Sequence, residues 1–154
     1  MTINEYLDRC KALRTKADWA EDRYKELASI STSPGSSLNT DGLPGAHDVH
    51  KREKILTALA QWRETWVNAE YDYLLFRAEL FNQICEIKSL PDLEVMFSRY
   101  VRGMTIEQVC EYMAKVNCGT PMSRTCVHRH IKSGKRQLLE ILRDQGVDID
   151  DGDI

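Results

Sequence analysis

Apolar residues follow a helical spacing in two stretches of the first 88 residues. They recur at alternating intervals of three and four, the pattern with which two helices pack side by side. Thr2 and Glu5 form a capping box before the first stretch, and Asp48 can cap the second. Pro-Gly and Asp-Gly pairs interrupt residues 31–48, so a loop is predicted there, and residues 1–88 are predicted to form an antiparallel helical hairpin. The predicted seam consists of Ile3, Tyr6, Cys10, Leu13, Ala17, Ala20, Tyr24 and Leu27 in the first helix and Ile55, Leu59, Trp62, Trp66, Ala69, Tyr73, Phe76, Leu80, Ile84 and Ile87 in the second.

Shorter helices separated by turn signals are predicted after the hairpin. Pro91 suits the first turn of a helix, where its missing N–H has no partner to lose. This helix is predicted to end at Gly103, because glycine readily takes the left-handed conformation that closes a helix. Thr105 and Gln108 form a second capping box, so another helix is predicted to begin directly after the turn.

The last predicted helix, residues 124–143 with Ser123 as its cap, has two chemically different sides. One side is apolar and can pack on the preceding helices, whereas the other is basic and polar. A solvated helix face is the simpler interpretation of such a charged side, but the capped helix and turn in front of it favour a helix-turn-helix over residues 89–143 that reads DNA. Arginines near the start of such a helix can bond guanine, and later Lys and Arg side chains suit phosphates. The apolar side consists of Val127, Ile131, Gly134, Leu138 and Leu142, and the predicted DNA-binding residues are Ser123, Arg124, Thr125, His128, Arg129, Lys132, Lys135 and Arg136.

Positive charge is concentrated in this C-terminal segment. Residues 88–143 contain 10 Lys+Arg and 5 Asp+Glu, a net charge of +5, whereas the whole chain carries −3. The last eleven residues, 144–154, contain five Asp and no Lys or Arg. The local basic charge indicates double-stranded DNA as the partner, and the acidic end is predicted to be a disordered tail.

The hairpin has more apolar surface than two helices cover. Leu56, Leu74, Leu75 and Phe81 lie off the predicted seam. Two arrangements would cover them: a second copy of the chain, which would give a four-helix arrangement, or the chain's own C-terminal helices. A homodimer would also present two DNA-binding units to paired half-sites.

No cofactor, metal site or catalytic site is predicted. Cys110, Cys118 and Cys126 lie near His128 and His130 in the sequence, but they lack the close ligand pairs of a structural zinc site. The chain has no glycine-rich phosphate loop and no nucleophile elbow, which argues against an enzyme. No run approaches the ~18 apolar residues of a membrane span. The five cysteines lack a paired framework, so we expect a cytoplasmic protein without disulfides.

The C-terminal segment resembles region 4 of bacterial sigma-70-type factors. The run LPDL at residues 90–93 and the run YVRGMTIEQV at residues 100–109 are similar to the opening of that region. Residues 123–142 can be laid on its final helix without a gap, and the whole resemblance covers about a third of the chain. The chain departs from the family at residues 114–122, where it has about six or seven extra residues between the two helices. The apolar positions of the final helix are occupied by Val127, Ile131, Leu138, Ile141 and Leu142.

A long helical front half joined to such a module resembles the small phage-encoded late-transcription activators of the ArpU and RinA type. This resemblance implies a sequence-specific regulator, acting on phage late genes through promoter DNA and bacterial RNA polymerase in the host cytoplasm. Two alternatives are a small terminase-like packaging subunit, in which the DNA module usually comes first, and a protein-interaction module that sequesters a host factor. The interaction module would keep its function without Arg124, Arg129 and Lys132. The resemblance places Ser123, Arg124, Thr125, His128, Arg129 and Lys132 on the promoter-reading helix.

Overall fold

The computed structural model describes residues 1–32, 46–116 and 120–150, and in these ranges the fold is all-α. Two long helices, α1 and α2, form an antiparallel pair, and smaller helices follow, which confirms the predicted fold class. Both long helices extend into the range predicted as a loop, so Asp48 lies inside α2 and its prediction as a helix cap is wrong; residues 33–45 lie outside the described ranges. The helices are α1 (Ile3–Thr32), α2 (Ala46–Cys85), α3 (Leu90–Met96), α4 (Ile106–Val116) and α5 (Arg124–Asp144).

The chain divides into two compact units, and the division crosses both long helices. The N/C unit contains Met1–Ala12 and the chain from Leu74 onward, and the hairpin unit contains Leu13–Tyr73. The expected boundary, at residue 88, therefore falls inside the N/C unit. The reason is that the first turns of α1 and the last turns of α2 share a core with the C-terminal helices.

The hairpin unit is held by aromatic pairs between α1 and α2. The rings of Trp19 and Trp62 meet edge to face with centroids 5.1 Å apart, and those of Tyr24 and Trp66 stack at 5.6 Å. Such pairs contribute about 1 kcal/mol each beyond the area that they bury. The predicted seam is confirmed here by the burial of Ala17, Ala20, Ala69 and Tyr73.

The core of the N/C unit is built from all five helices. The Tyr6 hydroxyl donates a 2.8 Å hydrogen bond to Oε1 of the buried Gln83, and the Tyr6 ring meets the Phe76 ring edge to face at 5.2 Å. These contacts join the start of α1 to the end of α2. The largest fully buried apolar side chains of this core are Ile3, Leu7, Leu80, Ile84, Val95, Met96, Val109, Met113, Val127, Leu138 and Leu142.

The segment after α3 continues as a π-helix, Phe97–Val101, which the sequence pattern did not indicate. Its wider turn is seen in the 3.1 Å hydrogen bond from the Arg102 amide to the Phe97 carbonyl, five residues back. Gly103 follows with a φ of 71°, so the predicted left-handed glycine after this helical segment is confirmed. The sequence therefore predicted where the segment ends but not its change of helical type.

The predicted disorder of the acidic end is wrong for residues 144–150. Gly146 has a φ of 78°, and the amides of Gly146 and Val147 bond back to the carbonyls of Arg143 and Leu142, which closes α5 with a Schellman motif. Beyond it Ile149 is 4% exposed, and the Asp150 amide donates a 3.0 Å hydrogen bond to the Met1 carbonyl. Burial of Ile149 and this backbone pairing order the segment, and residues 151–154 lie outside the described ranges.

Gly134 of α5 allows close contact with α3. A Cβ atom at this position would overlap the Cγ atom of the fully buried Met96. Replacing Gly134 by Ala is therefore expected to lower the free energy of unfolding by about 1–3 kcal/mol, the usual cost of overpacking a core. Urea denaturation followed by circular dichroism measures this loss.

The double variant Gly134→Ala/Met96→Ala tests the cause of that loss. Shortening Met96 removes the atoms that the new methyl group would meet, so the two losses are expected to be less than additive. Strictly additive losses would show that the contact with Met96 is not the reason for the glycine.

Candidate nucleic-acid interface

Side-chain caps position α4 and α5 as the sequence predicted. The Thr105 amide donates a 2.8 Å hydrogen bond to Gln108 Oε1, and the Gln108 amide donates to Thr105 Oγ1 at 3.3 Å. At the start of α5, Ser123 Oγ accepts a 3.2 Å hydrogen bond from the Cys126 amide. Both predicted caps are confirmed, and each satisfies backbone N–H groups that a helix start leaves without partners.

The two sides of α5 are separated as the pattern indicated. Its apolar side faces the core, which confirms the predicted burial of Val127, Ile131, Gly134, Leu138 and Leu142. The opposite side bears a run of polar and basic side chains. Of the predicted DNA-binding residues, those that are exposed are Ser123, Arg124, Thr125, His128, Arg129, Lys132 and Arg136.

Lys135 differs from the other predicted DNA-binding residues. It is half-buried, and its Nζ donates a 2.6 Å hydrogen bond to Oδ1 of Asn4 in the first turn of α1. Burial lowers the pKa of the Lys135 ammonium group. The structure therefore places Lys135 apart from the exposed basic row, in a contact between helices of the N/C unit.

Asp92 connects α3 to α5 through a cluster of hydrogen bonds. Asp92 is 4% exposed, and its Oδ1 lies 2.7 Å from His130 Nδ1. Its Oδ2 accepts hydrogen bonds from Ser133 Oγ at 2.7 Å and from Gln137 Nε2 at 2.8 Å. These three α5 residues lie between the apolar and basic sides, so the Asp92 cluster sets which side of α5 faces outward.

The hydrogen bonds of this cluster favour the ionised carboxylate. Burial alone would raise the pKa of Asp92, but hydrogen bonds from Ser133, His130 and Ser89 outweigh it and lower that pKa. A buried carboxylate with this many donors is a strong and directional connection between two helices.

Sequence reasoning assigned Asp92 only to the first turn of its helix and overlooked the cluster. A usable signal was present, since His130, Ser133 and Gln137 recur at intervals of three and four on α5 between its two sides. A polar row beside an apolar row indicates a polar partner on a neighbouring helix. Nothing in the sequence identified that partner as Asp92.

Two exposed arginines near the start of α5 have weak local contacts. Arg124 Nη2 lies 2.9 Å from Glu107 Oε1 in an exposed ion pair, and Arg129 Nη2 lies 3.4 Å from Cys126 Sγ. An exposed ion pair contributes about 0–1 kcal/mol, so Arg124 can exchange Glu107 for a stronger anion at little cost. Both guanidinium groups are therefore accessible to a phosphate or a base edge.

The described ranges contain neither a group of metal ligands nor a membrane-spanning helix. In residues 1–32, 46–116 and 120–150, no three His, Cys, Asp or Glu side chains are grouped to hold a metal ion. Cys118, one of the cysteines considered above, lies outside these ranges. Within the same part of the chain, every helix is too short or too polar to cross a membrane.

Comparison of the chain with protein-family models, curated proteins and solved structures found no match. The resemblance to sigma region 4 therefore stays a prediction made from the residues.

Proposed function

We propose that the protein binds double-stranded DNA in a sequence-specific manner through the exposed side of α5 and regulates transcription. The observation that carries this proposal is the row of exposed basic side chains on α5, a capped helix. The opposite side of α5 is packed in the core, and the Asp92 cluster sets the orientation of the helix. A recognition helix needs this combination, because its side chains must reach base edges from a rigid support.

The proposed roles follow from position along α5. Arg124 and Thr125 stand at the helix start, where recognition helices present side chains to base edges, and Arg129 lies just over one turn further on. An arginine can bond the O6 and N7 atoms of guanine with two parallel hydrogen bonds. Lys132 and Arg136 lie later in the helix and are assigned to phosphates.

The resemblance to sigma region 4 and to the phage late-transcription activators supports a narrower proposal. The protein would act in the cytoplasm of a bacterial host, bind upstream of phage late promoters and contact RNA polymerase there. Two copies would bind together, since paired half-sites match a symmetric pair of recognition helices.

Binding to DNA from the chain's own genomic neighbourhood, measured over a series of salt concentrations, tests the proposal. One fragment is expected to bind tightly, with affinity falling steeply as salt rises, because phosphate contacts release counterions. The two phosphate contacts assigned to Lys132 and Arg136 would give a slope of about −2 per protomer, or about −4 for two bound copies, in a plot of log K against log salt. Weak and equal binding to all fragments, or none, would contradict sequence-specific regulation.

A further inference from the structure

A second apolar row runs along α2, separate from the one packed in the core. Its members follow one another at intervals of four, three, four and three, and the larger ones are well exposed: 54% for Val67, 65% for Tyr71, 49% for Leu74 and 42% for Phe81. This row is called here the outer seam, and it consists of Val67, Tyr71, Leu74, Ala78 and Phe81. Regular heptad spacing on an exposed side is the pattern with which a helix receives another helix.

The part of the outer seam that belongs to the N/C unit is only partly covered by the C-terminal helices. Phe81 meets the Phe97 ring edge to face at 5.5 Å, yet it keeps 42% of its surface exposed. An open groove of about 350 Å³ remains beside it, lined by Leu74, Arg77, Ala78, Phe81, Phe97 and Val101. Within the N/C unit, packing on the C-terminal helices therefore leaves Leu74 and Phe81 about half exposed.

We propose that the outer seam binds the same seam of a second copy, with the two α2 helices antiparallel. The argument is charge complementarity beside the seam. Glu70 precedes Tyr71 by one residue, and Arg77 precedes Ala78 by one residue, so both occupy the flank of the heptad that lies against a partner helix. When Tyr71 faces Leu74 of the second copy, heptad geometry places Glu70 opposite Arg77 of that copy. The two-fold axis of such a dimer generates a second, identical ion pair.

Other registers and the parallel orientation lose these ion pairs. A shift of one heptad in one direction places Arg77 opposite Arg77, and a shift in the other direction places Glu70 opposite Glu70. A parallel pair would set Glu70 and Arg77 against the other flank of the heptad, where Asn68, Leu75 and Asn82 carry no charge. Like charges across a helix pair are disfavoured, so the flanking charges select one register and one orientation.

Four of the five outer-seam residues meet an apolar partner in this register. Ala78 would face Val67 of the second copy, a small side chain against a branched one, and Tyr71 would lie over Leu74. Glu64 occupies the next seam position toward the N-terminus and would face Phe81 of the second copy, so the apolar pairing ends there. The pairing is therefore short and is centred between Tyr71 and Leu74. It requires α2 alone, so its failure would leave DNA binding by α5 untouched.

Charge reversal with rescue tests the pairing, with mass measured by sedimentation velocity over a range of protein concentrations. The unmodified protein is expected to form a dimer, and Glu70→Arg and Arg77→Glu are each expected to weaken association at least tenfold. The double variant restores both ion pairs and is expected to return to within about threefold of the original affinity. Because Arg77 also interacts within its own chain, this rescue, rather than either single loss, is the decisive readout.

Asp72→Arg is the matched control, since Asp72 is exposed on α2 but lies off the seam and its flanks. The dimerisation of this variant is expected to equal that of the unmodified protein. A monomer at every concentration, a double variant no better than the single ones, or an equal loss in Asp72→Arg would overturn the proposal.

Cross-linking with a short bismaleimide tests the antiparallel orientation. In the proposed register Cys85, which is exposed, lies opposite Ala60 of the second copy, so Ala60→Cys is expected to give a covalent dimer. This dimer should be lost in Ala60→Cys/Cys85→Ser. Efficient linkage of Cys85 to Cys85 in the unmodified dimer would show parallel helices and overturn the proposal.

Discussion

Replacing Asp92 by alanine is expected to lower the free energy of unfolding by about 3 kcal/mol, because three α5 donors would lose their shared acceptor inside the protein. His130, Ser133 and Gln137 all bond the carboxylate of Asp92, a residue that is 4% exposed. The loss is expected to exceed that of any single exposed substitution on α5. Urea denaturation followed by far-ultraviolet circular dichroism measures it.

Two further variants separate the cluster from a general effect of charge. Asp92→Asn keeps the shape and one acceptor oxygen, so its loss is expected to be intermediate. Glu111→Ala removes an exposed carboxylate of α4 and is expected to change stability by less than about 0.5 kcal/mol. A loss in Asp92→Ala no larger than in Glu111→Ala would contradict the role given to the Asp92 cluster.

The lowered pKa of Asp92 also predicts a dependence of stability on pH. Because the folded-state pKa lies below that of the unfolded chain, the contribution is complete above the unfolded value and disappears as the pH falls through the folded value. The unmodified protein is therefore expected to lose stability below about pH 4 more steeply than Asp92→Asn. Urea denaturation repeated between pH 3 and pH 7 measures the difference, and parallel curves would contradict it.

Replacing Arg129 and Lys132 together by alanine is expected to weaken binding to the specific DNA fragment on the order of 100-fold. Both side chains are exposed on α5, so the folded structure should be unchanged. Arg129 is assigned to a base edge and Lys132 to a phosphate, and the salt dependence of binding should therefore become shallower by about one phosphate contact per protomer. Fluorescence anisotropy with a labelled fragment measures both quantities.

Lys51→Ala/Arg52→Ala is the matched control, because it removes the same charge from an exposed position on α2. Its affinity for the fragment is expected to stay within about threefold of the original, because neither side chain has a proposed contact with DNA and salt screens exposed charges that make none. Equal losses in the two double variants would indicate that net charge, and not the α5 surface, governs binding.

Local signals in the sequence predicted much of the fold. The capping boxes at Thr2 and Thr105 and the cap at Ser123 mark helix starts, because a cap bonds backbone groups only a few residues away. The left-handed Gly103 was predictable for the same local reason. The apolar side of α5 followed from spacing alone, since burial on one side of a helix repeats with the helical turn.

The features that were missed depend on contacts distant in sequence. The hydrogen-bond partners of Asp92 lie about 40 residues later in the sequence. Ile149 is buried although the acidic composition of its segment is typical of disorder. In the sequence, Lys135 does not differ from the other basic residues of α5, because its hydrogen bond to Asn4 appears only in the folded structure. Composition and periodicity describe one segment at a time, so they do not identify such partners.

Site-specific photo-cross-linking tests the central claim most directly. A photoreactive amino acid in place of His128, on the exposed side of α5, is expected to cross-link to the bound DNA fragment on irradiation. The same group in place of Lys51, which is exposed on α2, is expected to give little or no cross-link. Cross-linking from Lys51 but not from His128 would contradict the assignment of the exposed basic side of α5 to DNA.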